Sequence, residues 1–175
     1  IHWPAGIKAK GEIRSQFSHV IDIAPTVLEA TGIAEPTVVN GVHQVPMQGT
    51  SLMYAFDNRD AKEKHSVQYF EIIGNRAIYN NGWLARATVK LPWENKKLNE
   101  IEDDTGWQLF NTQEDFSLAH DLSNQYPDRL AAMKEQFVQE AVENGAFPLD
   151  DRLLERLLPE VAGRPTLMGD RTSLT

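Results

Sequence analysis

No cysteine occurs in the 175 residues. Within this stretch that excludes disulfides, thiolate metal sites and a cysteine nucleophile, and it leaves the compartment open between bacterial periplasm and cytoplasm. Basic charge is scarce: 17 Lys and Arg face 25 Asp and Glu, for a net charge of −8. Phosphate recognition needs a basic surface, so nucleic acid and anionic membranes are excluded as partners. No apolar run reaches about 18 residues, so no helix is expected to cross a membrane. No N-X-Ser/Thr sequon is present. There is no G-x-S-x-G elbow, no phosphate-binding glycine loop and no dinucleotide fingerprint, and nothing supplies a reactive serine with a base and an oxyanion hole.

The residues that are present describe a globular piece of α+β character. Ile1 to Trp3 reads as the end of a buried strand stopped by Pro4, Ala5 and Gly6, and Ile7 to Gly11 as a basic surface turn. Val20, Ile23, Val27 and Leu28 fit one face of a helix ending at Thr31, with Gly32 as its C-terminal cap and Pro25 allowed only in the first turn. Asp22 then reads as a carboxylate at the helix N-terminus, where the dipole favours it. Residues 34–65 carry Pro36, Asn40-Gly41, Pro46, Gly49 and Asp57-Asn58, with no lasting period, and read as a long connection pinned against a larger body.

Strands are expected at Val67–Ile73, Arg76–Tyr79, Trp83–Leu91 and Trp107–Asn111, with Asn80-Asn81-Gly82 as a hairpin turn. They would form a small antiparallel sheet. A helix over 127–144 follows, capped by Ser123 or Asn124, with Pro127 in its first turn and Gly145 stopping it. Its face of Leu130, Met133, Phe137, Val138 and Ala141 is expected to be core. A shorter helix over 150–158 and an irregular tail complete the chain. The four divisions are therefore 1–33, 34–65, 66–148 and 149–175.

Five histidines at positions 2, 19, 43, 65 and 120 show no metal-ligand spacing, and each reads as structural or exposed. Asp103-Asp104 and Asp150-Asp151 are neighbours whose side chains diverge, so they read as solvated turns or helix starts.

Several segments, taken in order, resemble the sulfatase family, and more closely its bacterial arylsulfatase branch. Ile1-His2-Trp3-Pro4-Ala5-Gly6-Ile7 is similar to the strand and turn after that family's G-G-x-R-x-P segment. Asp22-Ile23-Ala24-Pro25-Thr26 through Gly32 resembles its D-x-x-P-T-x-x-x-x-x-G helix, and Gly49-Thr50-Ser51-Leu52 its G-x-S-L connection. Phe70-Glu71 through Gly74-Asn75-Arg76-Ala77 looks like its F-E-x-x-G-x-R-A hairpin. Trp107-Gln108-Leu109-Phe110 with Asp115 and Asp121-Leu122 resembles W-x-L-Y-x-x-x-x-D-x-x-x-x-x-D-L, and the likeness runs on through Phe147 to Arg152 and Arg164-Pro165.

The resemblance implies a fragment of an alkaline-phosphatase-like α/β sulfatase fold, comprising the end of the main domain plus an antiparallel sheet packed on a C-terminal helix. Both ends then read as cut, and the missing partner is the N-terminal sulfatase domain. In the family a formylglycine nucleophile and a calcium ion act on a small sulfate ester. Their motifs lie upstream of Ile1, so no catalytic and no metal residue is assigned here and no cofactor is expected in this fragment. The hairpin would lie nearest the cleft, which makes Glu71, Asn75 and Arg76 substrate-rim candidates. A phosphonate or phosphodiester hydrolase of the same superfamily and a non-catalytic interaction module are the alternatives. The isolated chain is expected to be inactive and marginally folded, with oligomerisation one way to cover its exposed apolar surface.

Overall fold

The structure, a computed structural model, describes residues 1–89, 106–147 and 149. The helix expected over 150–158, both Asp-Asp pairs and the end of the strand expected to Leu91 lie outside the described residues. The chain divides into two compact units, Ile1–Gln68 and Tyr69–Thr175.

In the first unit, a 3-10 turn at Val20–Asp22 leads into helix α1, Ile23–Thr31. Gly32 closes α1 with φ 69°, the left-handed cap its lack of a side chain makes cheap. Pro25 falls in the first turn, where its missing N–H costs nothing. Two short strands, β1 (Val38–Val39) and β2 (Val42–His43), pair antiparallel around Asn40-Gly41, inside the segment expected to be a plain connection. A second 3-10 turn spans Met53–Ala55. The strand expected at Ile1–Trp3 is absent. Those residues run into a turn in which the Gly6 and Ile7 amides donate to the Trp3 carbonyl, at 3.0 and 2.9 Å. A strand persists only when paired, and among the described residues nothing pairs with it.

Strand β3 (Val67–Ile72) opens a four-stranded antiparallel sheet of order β3-β4-β5-β6, with β4 Asn75–Asn80, β5 Trp83–Ala87 and β6 Trp107–Asn111. The β4–β5 register runs from Arg76↔Ala87 to Asn80↔Trp83, closed by Asn81 and Gly82, both at positive φ as a two-residue hairpin requires. Helix α2, Pro127–Glu143, packs on β4, β5 and β6. Its Met133, Phe137 and Ala141 recur at helical spacing and are buried, as are Ile78, Ala85 and Leu109, which share one row across the sheet. The Phe137 ring meets Tyr69 and Trp107 edge-on, at 6.3 and 5.7 Å. The outer edge of β6 is partly paired by the chain itself. Asp121 accepts the Leu109 amide at 3.0 Å and the Leu122 amide reaches the Leu109 carbonyl at 2.8 Å, which covers that edge at its middle residue.

Two details of α2 differ from expectation. Its N-cap is Tyr126, without a side-chain bond, rather than Ser123 or Asn124. Pro127 holds its predecessor out of the helical region (φ −129°, ψ 59°), which fixes the cap one residue before the proline. Val138 is 49% exposed, because one residue beyond Phe137 is a rotation of about 100° around the helix, off the buried stripe.

Candidate functional site

The three rim candidates share one hairpin, and the sequence places them there through a strained turn. Ile73 and Gly74 connect β3 to β4 at φ 53° and 80°. A β-branched residue in the left-handed region is costly, so the turn needs fixing from outside. Glu71 supplies it: its carboxylate accepts the Gly74 amide at 2.9 Å. Asn75 opens β4, and its Oδ1 accepts the Val89 amide at 2.8 Å, tying down the chain beyond β5. Arg76 pairs with Ala87, and Ala87 with Trp107, so the three lie in one row across β4, β5 and β6. Directly paired residues share a face of the sheet. The small side chain of Ala87 leaves room for Arg76 to cross it, and the guanidinium lies over the Trp107 ring at 5.5 Å. All three candidates are half-buried. Glu71 and Asn75 thus shape the turn and its flank, while Arg76 places a guanidinium on an aromatic surface.

The densest polar cluster lies in the first unit, where the D-x-x-P-T and G-x-S-L segments meet His65, a residue outside both motifs. Asp22 is fully buried, and its carboxylate accepts the His19 amide (2.7 Å) and the Thr50 amide (2.7 Å). Nδ1 of His65, also buried, lies 2.8 Å from both carboxylate oxygens, and the Phe17 ring meets the imidazole edge-on at 5.2 Å. One turn on, Thr26 donates its hydroxyl to the Asp22 carbonyl (2.6 Å) and accepts the Leu52 amide (2.9 Å). Gly49 lets the two segments touch, since a methyl group there would overlap the Ile21 carbonyl. Burial pushes the Asp22 carboxyl up, but the His19 and Thr50 amides and the His65 imidazole outweigh it and hold it below its ordinary value.

Asp22 does stand at the helix boundary, as expected. Its charge, however, serves a loop and a histidine 43 positions away rather than capping α1. No spacing in the sequence announces that partner. With both groups shut from solvent, the pair is a tie between segments and offers no access to a substrate.

Helix α1 is turned inside out. Its buried neighbours are Asp22 and Thr26, while Val20, Ile23 and Val27 are 66%, 58% and 54% exposed along one stripe. Among the described residues no three His, Asp or Glu side chains gather as a cation would require. Among the same residues no helix is long and apolar enough to cross a membrane.

No family model matches the chain. Solved structures do. The carrageenan sulfatase Ps i-CgsB aligns over 98% of this chain and 34% of its own, at 21% identity and a TM-score of 0.58. Its complex with k-i-k-neocarrahexaose gives 22% identity and 0.56 over the same shares. A glycosaminoglycan sulfatase, a 6S-sulf protein of Bacteroides thetaiotaomicron, aligns over 81% of this chain and 28% of its own, at 16% identity and 0.55. The chain therefore has a sulfatase-like fold and spans about a third of the length of the proteins it matches.

Proposed function

We propose that this chain is the C-terminal part of a sulfuric ester hydrolase of arylsulfatase type, whose formylglycine and calcium lie on preceding polypeptide. The observation that carries the reading is a sulfatase-like fold running over nearly the whole chain, on a sequence whose segments resemble that family's in order. The chain's own residues then act as a buttress and a rim. The exposed stripe Val20, Ile23 and Val27 docks on the N-terminal sulfatase domain, which supplies the apolar surface that α1 lacks. Arg76, held on Trp107, meets the anionic part of the substrate, and Glu71 and Asn75 keep its hairpin in place. The neocarrahexaose bound by one structural neighbour makes a carrageenan-type oligosaccharide a substrate to test beside small aryl sulfates.

The test is the longer gene product, assayed on 4-nitrophenyl sulfate and on an aryl phosphodiester. We expect sulfate ester to be the better substrate, Arg76→Ala to raise KM with kcat little changed, and the isolated chain to give no turnover. A preference for the phosphodiester would replace this reading with the phosphonate or phosphodiester hydrolase.

A further inference from the structure

Three Asn-Gly dipeptides occur, Asn40-Gly41, Asn81-Gly82 and Asn144-Gly145. This pairing is chemically reactive because glycine leaves its own amide nitrogen unshielded. That nitrogen can attack the side-chain carbonyl carbon of the preceding asparagine. The new C–N bond closes a five-membered succinimide and ammonia leaves. Water then opens the ring at one carbonyl or the other, giving aspartate or isoaspartate. One water is consumed and one ammonia released, with no oxidant or reductant. Ring closure requires the asparagine to leave its turn or helix-end conformation, so the surrounding fold decides the rate.

The three sites differ in that respect. At Asn144 the side-chain amide donates to the Glu140 carbonyl (2.8 Å) and the Gly145 amide to Val142 (3.2 Å). The nucleophile is therefore occupied at the helix end. Asn81 donates to Asn80 Oδ1 at 2.7 Å. Gly82 beside it is buried, with its carbonyl accepting both the amide and the hydroxyl of Thr112 at 2.8 Å. That turn closes the full β4–β5 ladder, whose Ile78, Tyr79 and Ala85 are core, so opening it exposes apolar surface.

Asn40 has none of this protection. Its turn (φ 51° and 79°) joins strands two residues long, with only Val39↔Val42 and Val38↔His43 paired. Residues 31–48 are all exposed, and no hydrogen bond holds the Asn40 side chain or the Gly41 amide among the described residues. An isolated hairpin of this size is marginal in water and opens with little loss of burial.

We propose that Asn40 is a self-modifying site, converting to aspartate and isoaspartate through a succinimide, and that Asn81 and Asn144 are shielded by the fold. The proposal stands independently of the chain's catalytic role. The experiment incubates the longer gene product in mildly alkaline buffer, natively and in urea. Peptide mass spectrometry follows the replacement of –NH2 by –OH at each site, and fragmentation distinguishes the isoaspartyl product. In urea the three sites should react at similar rates. In the native chain Asn40 should keep a rate within a few-fold of its urea value, while the other two slow by roughly tenfold or more, the signature of protection by structure. Asn40→Gln should abolish the early product and leave the two slow sites unchanged. Equal native rates at all three sites, or Asn40 lagging behind either of the others, overturns the proposal.

Discussion

Before Tyr69, Ala55 is the one apolar side chain in the buried core of the described residues, yet Asp22, Thr26 and His65 are buried there. From Tyr69 onward the pattern reverses: Ile78, Ala85, Leu109, Phe110, Met133, Phe137 and Ala141 are buried, and the buried polar side chains are absent from the same described set. The second unit is held by area removed from water, about 25 cal/mol per Å². The first is held by side chains that reach backbone groups far along the sequence. Arg14 donates to the carbonyls of Ala55 (2.5 Å) and Phe56 (2.7 Å), Gln16 to those of Arg59 and Ala61 (2.8 Å each). Asp57 accepts the Lys8 and Ala9 amides (2.7 and 2.9 Å), and Glu63 accepts that of Phe17 (2.8 Å). Such bonds contribute little net energy each, but losing one partner strands a buried group. The first unit is therefore specified in geometry and poor in cohesion.

The comparison breaks most sharply at Phe137. Phe137→Ala should cost about 3–5 kcal/mol by cavity formation. A denaturant midpoint followed by tryptophan fluorescence reads this, because Trp83 and Trp107 both lie in the sheet. Next comes Asp22→Asn, which turns a donor toward groups that need an acceptor and should cost about 1–3 kcal/mol. Hydrogen exchange should then quicken at the Thr50 and Leu52 amides while Ile78 and Leu109 stay protected. Uniform acceleration in both units would erase the distinction. Acid should act on the same place. The folded Asp22 carboxyl titrates below its ordinary value of 3.8. The stability its charge contributes is thus present above that value and lost as pH falls through the lower folded one. The Thr50 amide should lose protection over that window in the parent chain and show no such step in Asp22→Asn. The smallest effect belongs to Ile23→Ser with Val27→Ser, expected to change the stability of this chain by no more than about 0.5 kcal/mol because both side chains already face water. The same pair in the longer gene product should be clearly destabilising.

The second unit was largely legible from sequence, for local reasons. The Asn80-Asn81-Gly82 turn demands positive φ, Pro127 can only begin a helix, and Met133, Phe137 and Ala141 keep helical spacing. Gly32 and Pro25 made α1 readable by the same kind of rule. Failures arose where position depends on something outside the local pattern. The true cap at Tyr126 follows from a proline effect that outranked Ser123 and Asn124 as cap formers. The Asp22–His65 tie has no periodicity to betray it. An apolar stripe gives the face of α1 but not whether that face meets a neighbour, and here Val20, Ile23 and Val27 meet solvent. Of the rim candidates, the resemblance indicated the hairpin. It did not indicate that Glu71 and Asn75 accept backbone amides, Gly74 in the hairpin turn and Val89 beyond β5.

The cross-links of the first unit also decide what a protease could do to it. Arg14, Gln16, Phe17, Asp22 and Thr26 are each fastened to a residue at or beyond Thr50. A nick in the exposed stretch between them would cut the covalent thread and leave both halves clasped, so that cleavage becomes visible only once the pieces are pulled apart under denaturing conditions.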